Sequence, residues 1–154
     1  MKKLIYIAAP LFSAAEREFN ARLKASLLSC CDVFLPQDDG DLLVDLIAAG
    51  VPAGHARERI FQRDIAAIDR CDIVLIVLDG RAVDEGAAFE LGYGFARSKM
   101  CIALQTDPRR LLPTGNNPMI ERPLEASFSS IDELAEWMRR QKGPIPHAIE
   151  PSTH

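Results

Sequence analysis

Cysteine is scarce in this chain and poorly spaced: Cys30, Cys31, Cys71 and Cys101 form no C-x-x-C, and the three histidines, His55, His147 and His154, are scattered. Zinc sites draw their ligands in closely spaced pairs, so no metal site is expected. The thiols read as small apolar core residues in a reducing compartment. Basic residues are also short. The 18 Lys and Arg stand against 22 Asp and Glu, for a net charge of −4, with no basic stripe. Binding to a nucleic-acid polymer or to a membrane surface by counterion release is therefore not expected, whereas a single nucleoside needs only a polar pocket. No apolar run approaches the length of a membrane-crossing helix. Met1-Lys2-Lys3 leads into a short apolar run that stops at Pro10. That is unlike a secretory signal, so the cytoplasm is the expected location. No phosphate-cradling P-loop is present, and Gly92-Tyr93-Gly94 is not a dinucleotide fingerprint, because it falls inside a predicted helix and not at a strand-to-helix turn.

What the chain does have is alternation. Its 154 residues suit one domain with a proper core, expected over residues 1–142, with 143–154 as a C-terminal tail. Leu4–Ala9 predicts a first strand, stopped by Pro10. Ser13-Ala14-Ala15-Glu16 is a capping-box pattern opening a helix with Phe19, Leu23, Leu27 and Leu28 on one face. Asp32–Leu35 predicts a short second strand. An insert at 38–55 follows, with one short helix expected at 41–49. A helix from about Ala56 to Arg70 carries Ile60, Phe61, Ile65 and Ile68 inward. A third strand is expected over 72–78, where Ile73–Leu78 is an uninterrupted apolar run rich in β-branched residues, as in a buried parallel strand. A helix over roughly Gly86–Ser98, a strand over Met100–Gln105 and a short strand at Ala126–Phe128 come next. Ser130 and Glu133 form a second capping box, opening a last helix whose apolar face is Leu134, Trp137 and Met138. Strands alternating with helices indicate an α/β fold: a flavodoxin-like, doubly wound, five-stranded parallel sheet with helices on both faces.

In such a fold the loops after the strands share one edge, where ligands bind. The stretch from Asp79 to Glu90 puts four carboxylates into twelve positions at that edge. Tyr6 lies late in the first strand, Gln37 follows the second, and Asp107 and Arg109 follow the fourth. Asp64, among Ile60, Ile65 and Ile68, is a further candidate for the same edge. Each residue also has a plainer reading. Asp84 beside Gly86 suits a helix N-cap, Asp64 a solvated helix face, and Tyr6 a core aromatic. From spacing alone the expectation is a carboxylate-rich cleft, and paired carboxylates with a tyrosine suit glycosyl transfer or hydrolysis.

The motifs go further. Residues Ile5-Tyr6-Ile7-Ala8-Ala9-Pro10-Leu11-Phe12 and Arg63–Asp72 are joined by Asp84-Glu85-Gly86-Ala87-Ala88-Phe89-Glu90-Leu91-Gly92-Tyr93, a D-x-G-x-x-x-E-x-G pattern. Together with Thr106–Arg110 and Asn116–Ile120 they resemble, in order and over roughly residues 3–140, the nucleoside 2-deoxyribosyltransferases. The resemblance implies exchange of the base of a 2′-deoxynucleoside for a free nucleobase through a covalent deoxyribosyl-enzyme, with no cofactor and no metal. It makes Glu90 the nucleophile, held by Tyr6. Asp64 becomes the proton relay to the base, and Asp84, with Gly86 in the same signature, lies at the sugar near the 5′-hydroxyl. Gln37 corresponds to a base-reading glutamine. Asn117 corresponds to an asparagine that reaches a neighbouring subunit's site, which implies a homo-oligomer.

This sequence departs from the family pattern at Ala9, where glycine is usual, and in a tail ending Pro151-Ser152-Thr153-His154, with no aromatic residue. Two alternatives stay open: an N-glycosidase acting on deoxynucleosides or their 5′-monophosphates, and a non-catalytic nucleotide-binding module. A carboxylate at Asp84 would repel a 5′-phosphate and so favours the nucleoside.

Overall fold

The computed structural model describes residues 2–107, 109 and 115–141; the expected tail at 143–154 lies outside them. Twelve elements follow in chain order: β1 (Leu4–Ala8), α1 (Ala14–Leu27), β2 (Asp32–Phe34), α2 (Pro36–Asp39), α3 (Leu43–Ala48), α4 (Ala53–Arg70), β3 (Ile73–Val77), α5 (Glu85–Ala96), β4 (Met100–Leu104), α6 (Pro118–Glu121), β5 (Ala126–Phe128) and α7 (Ile131–Arg140). The five strands form one sheet in the order β2-β1-β3-β4-β5, and every pairing is parallel. This is the doubly wound order expected from the alternation. After β2 the chain crosses back over β1 to start β3, so the winding reverses between β1 and β3 and leaves a crevice at their carboxyl ends.

Period-two side-chain alternation assigns each strand residue to a face. Ile5, Ile7, Ile73, Leu75 and Val77 join Leu23 and Leu27 of α1 and Leu134 and Met138 of α7 in one core. Tyr6, Ala8, Val74 and Ile76 join Ala67 and Ile68 of α4 and Ala87 and Leu91 of α5 in the other. The even-numbered positions of β1 therefore point at α4 and α5. Helix α5 comes unusually close to the sheet: a Cβ on Gly94 would lie 2.5 Å from Val74 Cγ2. Only a residue without a side chain permits that approach.

The first capping box forms in full and the second only in half, because the Glu133 carboxylate accepts from the amide and hydroxyl of Ser129 and not from the Ser130 amide. Ser13 Oγ accepts from the Glu16 amide while Glu16 Oε2 accepts from the Ser13 amide, and Ser130 Oγ accepts from the Glu133 amide. Four expectations need correction. Leu28 lies past the end of α1 and is 47% exposed, and Phe61 is 48% exposed instead of inward. Helix α4 starts at Ala53, three residues earlier than expected. The proline-led turns α2 and α6 were missed, although proline is favoured at the first helical position because it has no amide to leave unpaired. All four cysteines are free thiols. Among the described residues no helix is long and apolar enough to cross a membrane.

Candidate active site

Tyr6 is fully buried on the α4/α5 side of β1. Its ring stacks on Phe34 of the neighbouring strand, with centroids 5.5 Å apart and planes at 11°. That stack aims the hydroxyl, which donates to Glu90 Oε1 at 2.6 Å. Such a short contact is typical of a hydroxyl bonded to a carboxylate. Glu90 sits in the first half of α5, and its carboxyl is pushed up to about 8. Burial is the main cause; Asp64 and Asp84 add like charge, and the Tyr6 hydrogen bond works against them. Asp64, from α4, is raised to about 6, again mainly by burial, with Arg63 opposing and Asp41 reinforcing the rise. Burial and the two carboxylates push the Tyr6 phenol far above its ordinary range, so it stays a donor. Both carboxyls therefore lie above the ordinary carboxylate range, Glu90 higher than Asp64, and the charge of Asp64 is one of the causes that raise Glu90.

Asp84 is the N-cap of α5, its Oδ2 accepting from the Ala87 amide at 2.9 Å. The plainer reading of this residue is therefore correct, yet the same side chain also lines the cleft beside Glu90. A Cβ on Gly86 would lie 3.2 Å from Asp84 Oδ2, so the glycine keeps room for the capping carboxylate. The cleft holds about 540 Å³ and is walled mainly by apolar side chains, among them Leu11, Phe12, Ile60, Ile65 and Phe89. Its few polar groups are Asp41, Arg57, Asp64, Asp84 and Glu90. Small-molecule sites have this make-up: apolar walls for binding, and a few placed polar groups for orientation. The walls include the aromatic rings of Phe12, Phe61 and Phe89, and the carboxyls of Asp64 and Glu90 lie among them.

A family model described as nucleoside 2-deoxyribosyltransferase matches residues 5–144. The chain belongs to this family. Its members act on nucleosides, and the carboxylate cleft is where such a substrate would be sought. No curated protein sequence matches the chain. Among solved structures it is similar to a 2-deoxyribosyltransferase from the psychrotolerant bacterium Bacillus psychrosaccharolyticus, at 21% identity and TM-score 0.72 over 86% of this chain and 90% of that one. A conserved protein from Enterococcus faecalis V583 is similar at 23% identity and TM-score 0.72, over 92% of this chain and 100% of that one. A CMP N-glycosidase from Clostridium botulinum shares the fold at 15% identity and TM-score 0.55, over 88% of this chain and 98% of that one.

Within this deoxyribosyltransferase-family fold, Tyr6, Asp64, Asp84, Gly86 and Glu90 come together, and Gln37 and Asn117 do not. The Gln37 amide is committed to α1, donating to the Arg17 carbonyl at 2.9 Å and accepting from Asn20 Nδ2 at 3.0 Å. Asn117 caps α6, accepting from the Met119 amide at 2.9 Å. It lines a separate cavity of about 290 Å³ near Gly80 and Gln105. Asp79 braces the edge by accepting from Thr106 Oγ1 and the Asp107 amide, while Asp107 pairs with Arg109. Among the described residues no group of His, Cys, Asp or Glu could hold a metal ion. Sequence reasoning overlooked Asp41, Arg57 and the aromatic wall at Phe12 and Phe89. A signal for Arg57 existed: residues 57, 60, 61, 64, 65 and 68 recur at helical spacing, one stripe of α4 that lines the cleft.

Proposed function

We propose that the protein transfers 2-deoxyribose between nucleobases through an ester on Glu90. The observation that carries this reading is the 2.6 Å bond from the buried Tyr6 hydroxyl to Glu90 Oε1, which leaves Oε2 as the attacking oxygen. In the first half-reaction an electron pair of Oε2 forms the bond to C1′ as the bond from C1′ to the base nitrogen breaks. Its electrons leave with the base, and Asp64 supplies the proton that makes the base a good leaving group. A second base then attacks C1′ from the opposite side, gives its proton to Asp64 and frees Glu90. Two inversions give net retention and ping-pong kinetics. Without a 2′-hydroxyl the cation-like transition state is easier to reach, so a carboxylate and a proton donor suffice.

Asp84 is assigned to the 5′-hydroxyl, and Asn117, remote from its own chain's cleft, to the site of a neighbouring subunit in a homo-oligomer. The activity belongs to nucleoside salvage, with a cytoplasmic location. The second reading, N-glycoside hydrolysis, is supported by the fold shared with the CMP N-glycosidase. Transfer is favoured over it because the apolar walls suit a waiting base better than water. The carboxylate of Asp84 also disfavours a 5′-phosphate.

The test is to incubate the protein, beside Glu90→Ala, with 2′-deoxyinosine or thymidine and free adenine and to separate the products by chromatography. New 2′-deoxyadenosine that depends on Glu90, with a deoxyribosyl mass on the intact protein, supports transfer. Free base without new nucleoside means hydrolysis.

A further inference from the structure

We infer that Asp41 is a positioning residue, which hangs the wall of the cleft formed by residues 41–43 on helix α4 and fixes Arg63 beside Asp64. The inference rests on the function proposed above for Asp64.

Asp41 lies between α2 and α3, with its side chain only 15% exposed, and it holds two guanidinium groups at once. Arg59 Nε donates to Asp41 Oδ2 at 2.9 Å and Arg59 Nη2 to Oδ1 at 3.3 Å. Arg63 Nη1 stands 3.1 Å from Oδ2, and Arg63 Nη2 donates to the Asp39 carbonyl. On the other side of the same segment Lys24 of α1 pairs with Asp39 at 2.6 Å. The stretch 39–41 is therefore strung between α1 and α4 by charge. Immediately after it come Leu42 and Leu43, which line the cleft. Leu42 and Leu43 carry no polar side chain of their own; Leu42 caps α3 only through its carbonyl, which accepts from the Leu46 amide at 3.1 Å. The two guanidinium partners are 57% and 43% exposed, which screens the pairs and limits what they add to stability, so the cluster is better explained by the place it holds.

The cluster also sets the field at Asp64. The charged and titratable groups acting there are Arg63 on its own helix, Asp41 from the α2–α3 link, Glu90 of α5 and Tyr6 of β1, with Asp84 and Arg57 sharing the cleft. Arg63 lowers the Asp64 proton affinity and Asp41 raises it, so the two arms of one ion pair act on it with opposite sign. Neutralising one arm leaves the other unbalanced.

Three substitutions test this. Asp41→Asn should move the acid-side limb of the kcat/KM profile, governed by Asp64, to lower pH by several tenths of a unit. It should also raise KM for the nucleoside several-fold by loosening Leu42 and Leu43. Arg63→Gln should move the same limb upward, and Arg63→Lys, which keeps the charge, should leave it in place. Two readouts need no turnover: the carbon-13 carboxyl titration of Asp64 should follow the same signs, and amides 41–50 should exchange faster with solvent in Asp41→Asn. A wild-type protein that turns over no nucleoside would overturn the proposed function, while these two readouts would still judge the positioning role. Shifts of the same sign in Asp41→Asn and Arg63→Gln, or unchanged exchange at 41–50, would overturn it. Should Asp41→Asn fail to fold, the Arg63 pair alone decides on the sign of the titration shift.

Discussion

Replacing Tyr6 by Phe removes one oxygen and leaves the stacked ring in place, so it isolates the hydrogen bond to Glu90. That bond is one of donor to carboxylate, a class that contributes about 1.5–3 kcal/mol. At about 1.4 kcal/mol per pKa unit, its loss should raise the Glu90 carboxyl by about one to two units above its present value of about 8. The proposed chemistry needs one proton in the pair, placed on Asp64, with Glu90 ionised. Activity should therefore rise near pH 6 and fall near pH 8. With two units separating the groups, about one singly protonated molecule in a hundred has the proton on Asp64. Tyr6→Phe should make that form about 10- to 100-fold rarer. The plateau of kcat/KM then drops by that factor, and the alkaline limb moves up by about one to two units, giving a lower and broader bell. Base release from 2′-deoxyinosine, followed between about pH 5 and 10, reads both effects. A drop in rate with the alkaline limb unmoved, or a shifted limb with the plateau unchanged, would refute the reasoning.

Other substitutions probe the same frame. Glu90 has its folded value raised from 4.5 to about 8. Its contribution to stability is therefore complete below about pH 4.5 and lost as the pH climbs towards 8. Glu90→Gln, which does not titrate, should be inactive yet gain on the parent from pH 5 to 8. The gain at the upper end should be on the order of 2 kcal/mol once the open cleft is allowed for; equal denaturant midpoints across that range would count against the buried-carboxylate account. Asp84→Ser keeps an N-cap oxygen for α5, so stability should change by less than about 1 kcal/mol. Nucleoside transfer should weaken and tolerance of the 5′-monophosphate should improve; unchanged transfer with the monophosphate still refused would remove Asp84 from the 5′ end. Gly94→Ala drives a Cβ into Val74 and should destabilise by about 1–3 kcal/mol. Gly92→Ala meets nothing within 4 Å and should stabilise by about 0.5–1 kcal/mol, so thermal unfolding should rank the two on opposite sides of the parent.

Most of the fold is legible along the chain. The apolar run Ile73–Leu78 can be satisfied only between two other strands, and the Ser13/Glu16 and Ser130/Glu133 pairs mark helix starts by local hydrogen bonding alone. Phe61 shows where that reading stops. It shares a stripe with Ile60, Ile65 and Ile68, but it faces the open cleft and the ring of Phe89 on α5, and stays half exposed there. Gln37 shows the same limit for the site: a residue in the right loop spends its amide on Asn20 and Arg17, partners set by how α1 lies against α2. Asp84 could be read either as cap or as cleft carboxylate, and it is both, because α5 begins at the cleft.

The sequence by itself determined the alternation of strands and helices, the helix starts and the kinds of chemical group available at the sheet edge, since these follow from local spacing and side-chain type. Only the tertiary structure decided which carboxylate holds a proton. Glu90 and Asp64 are ordinary acids in an extended chain. Folding strips water from both and sets them in one cleft, with Tyr6 on one side and the Asp41–Arg63 pair on the other. Desolvation and mutual charge depend on the place a group occupies in the fold, not on the residue alone.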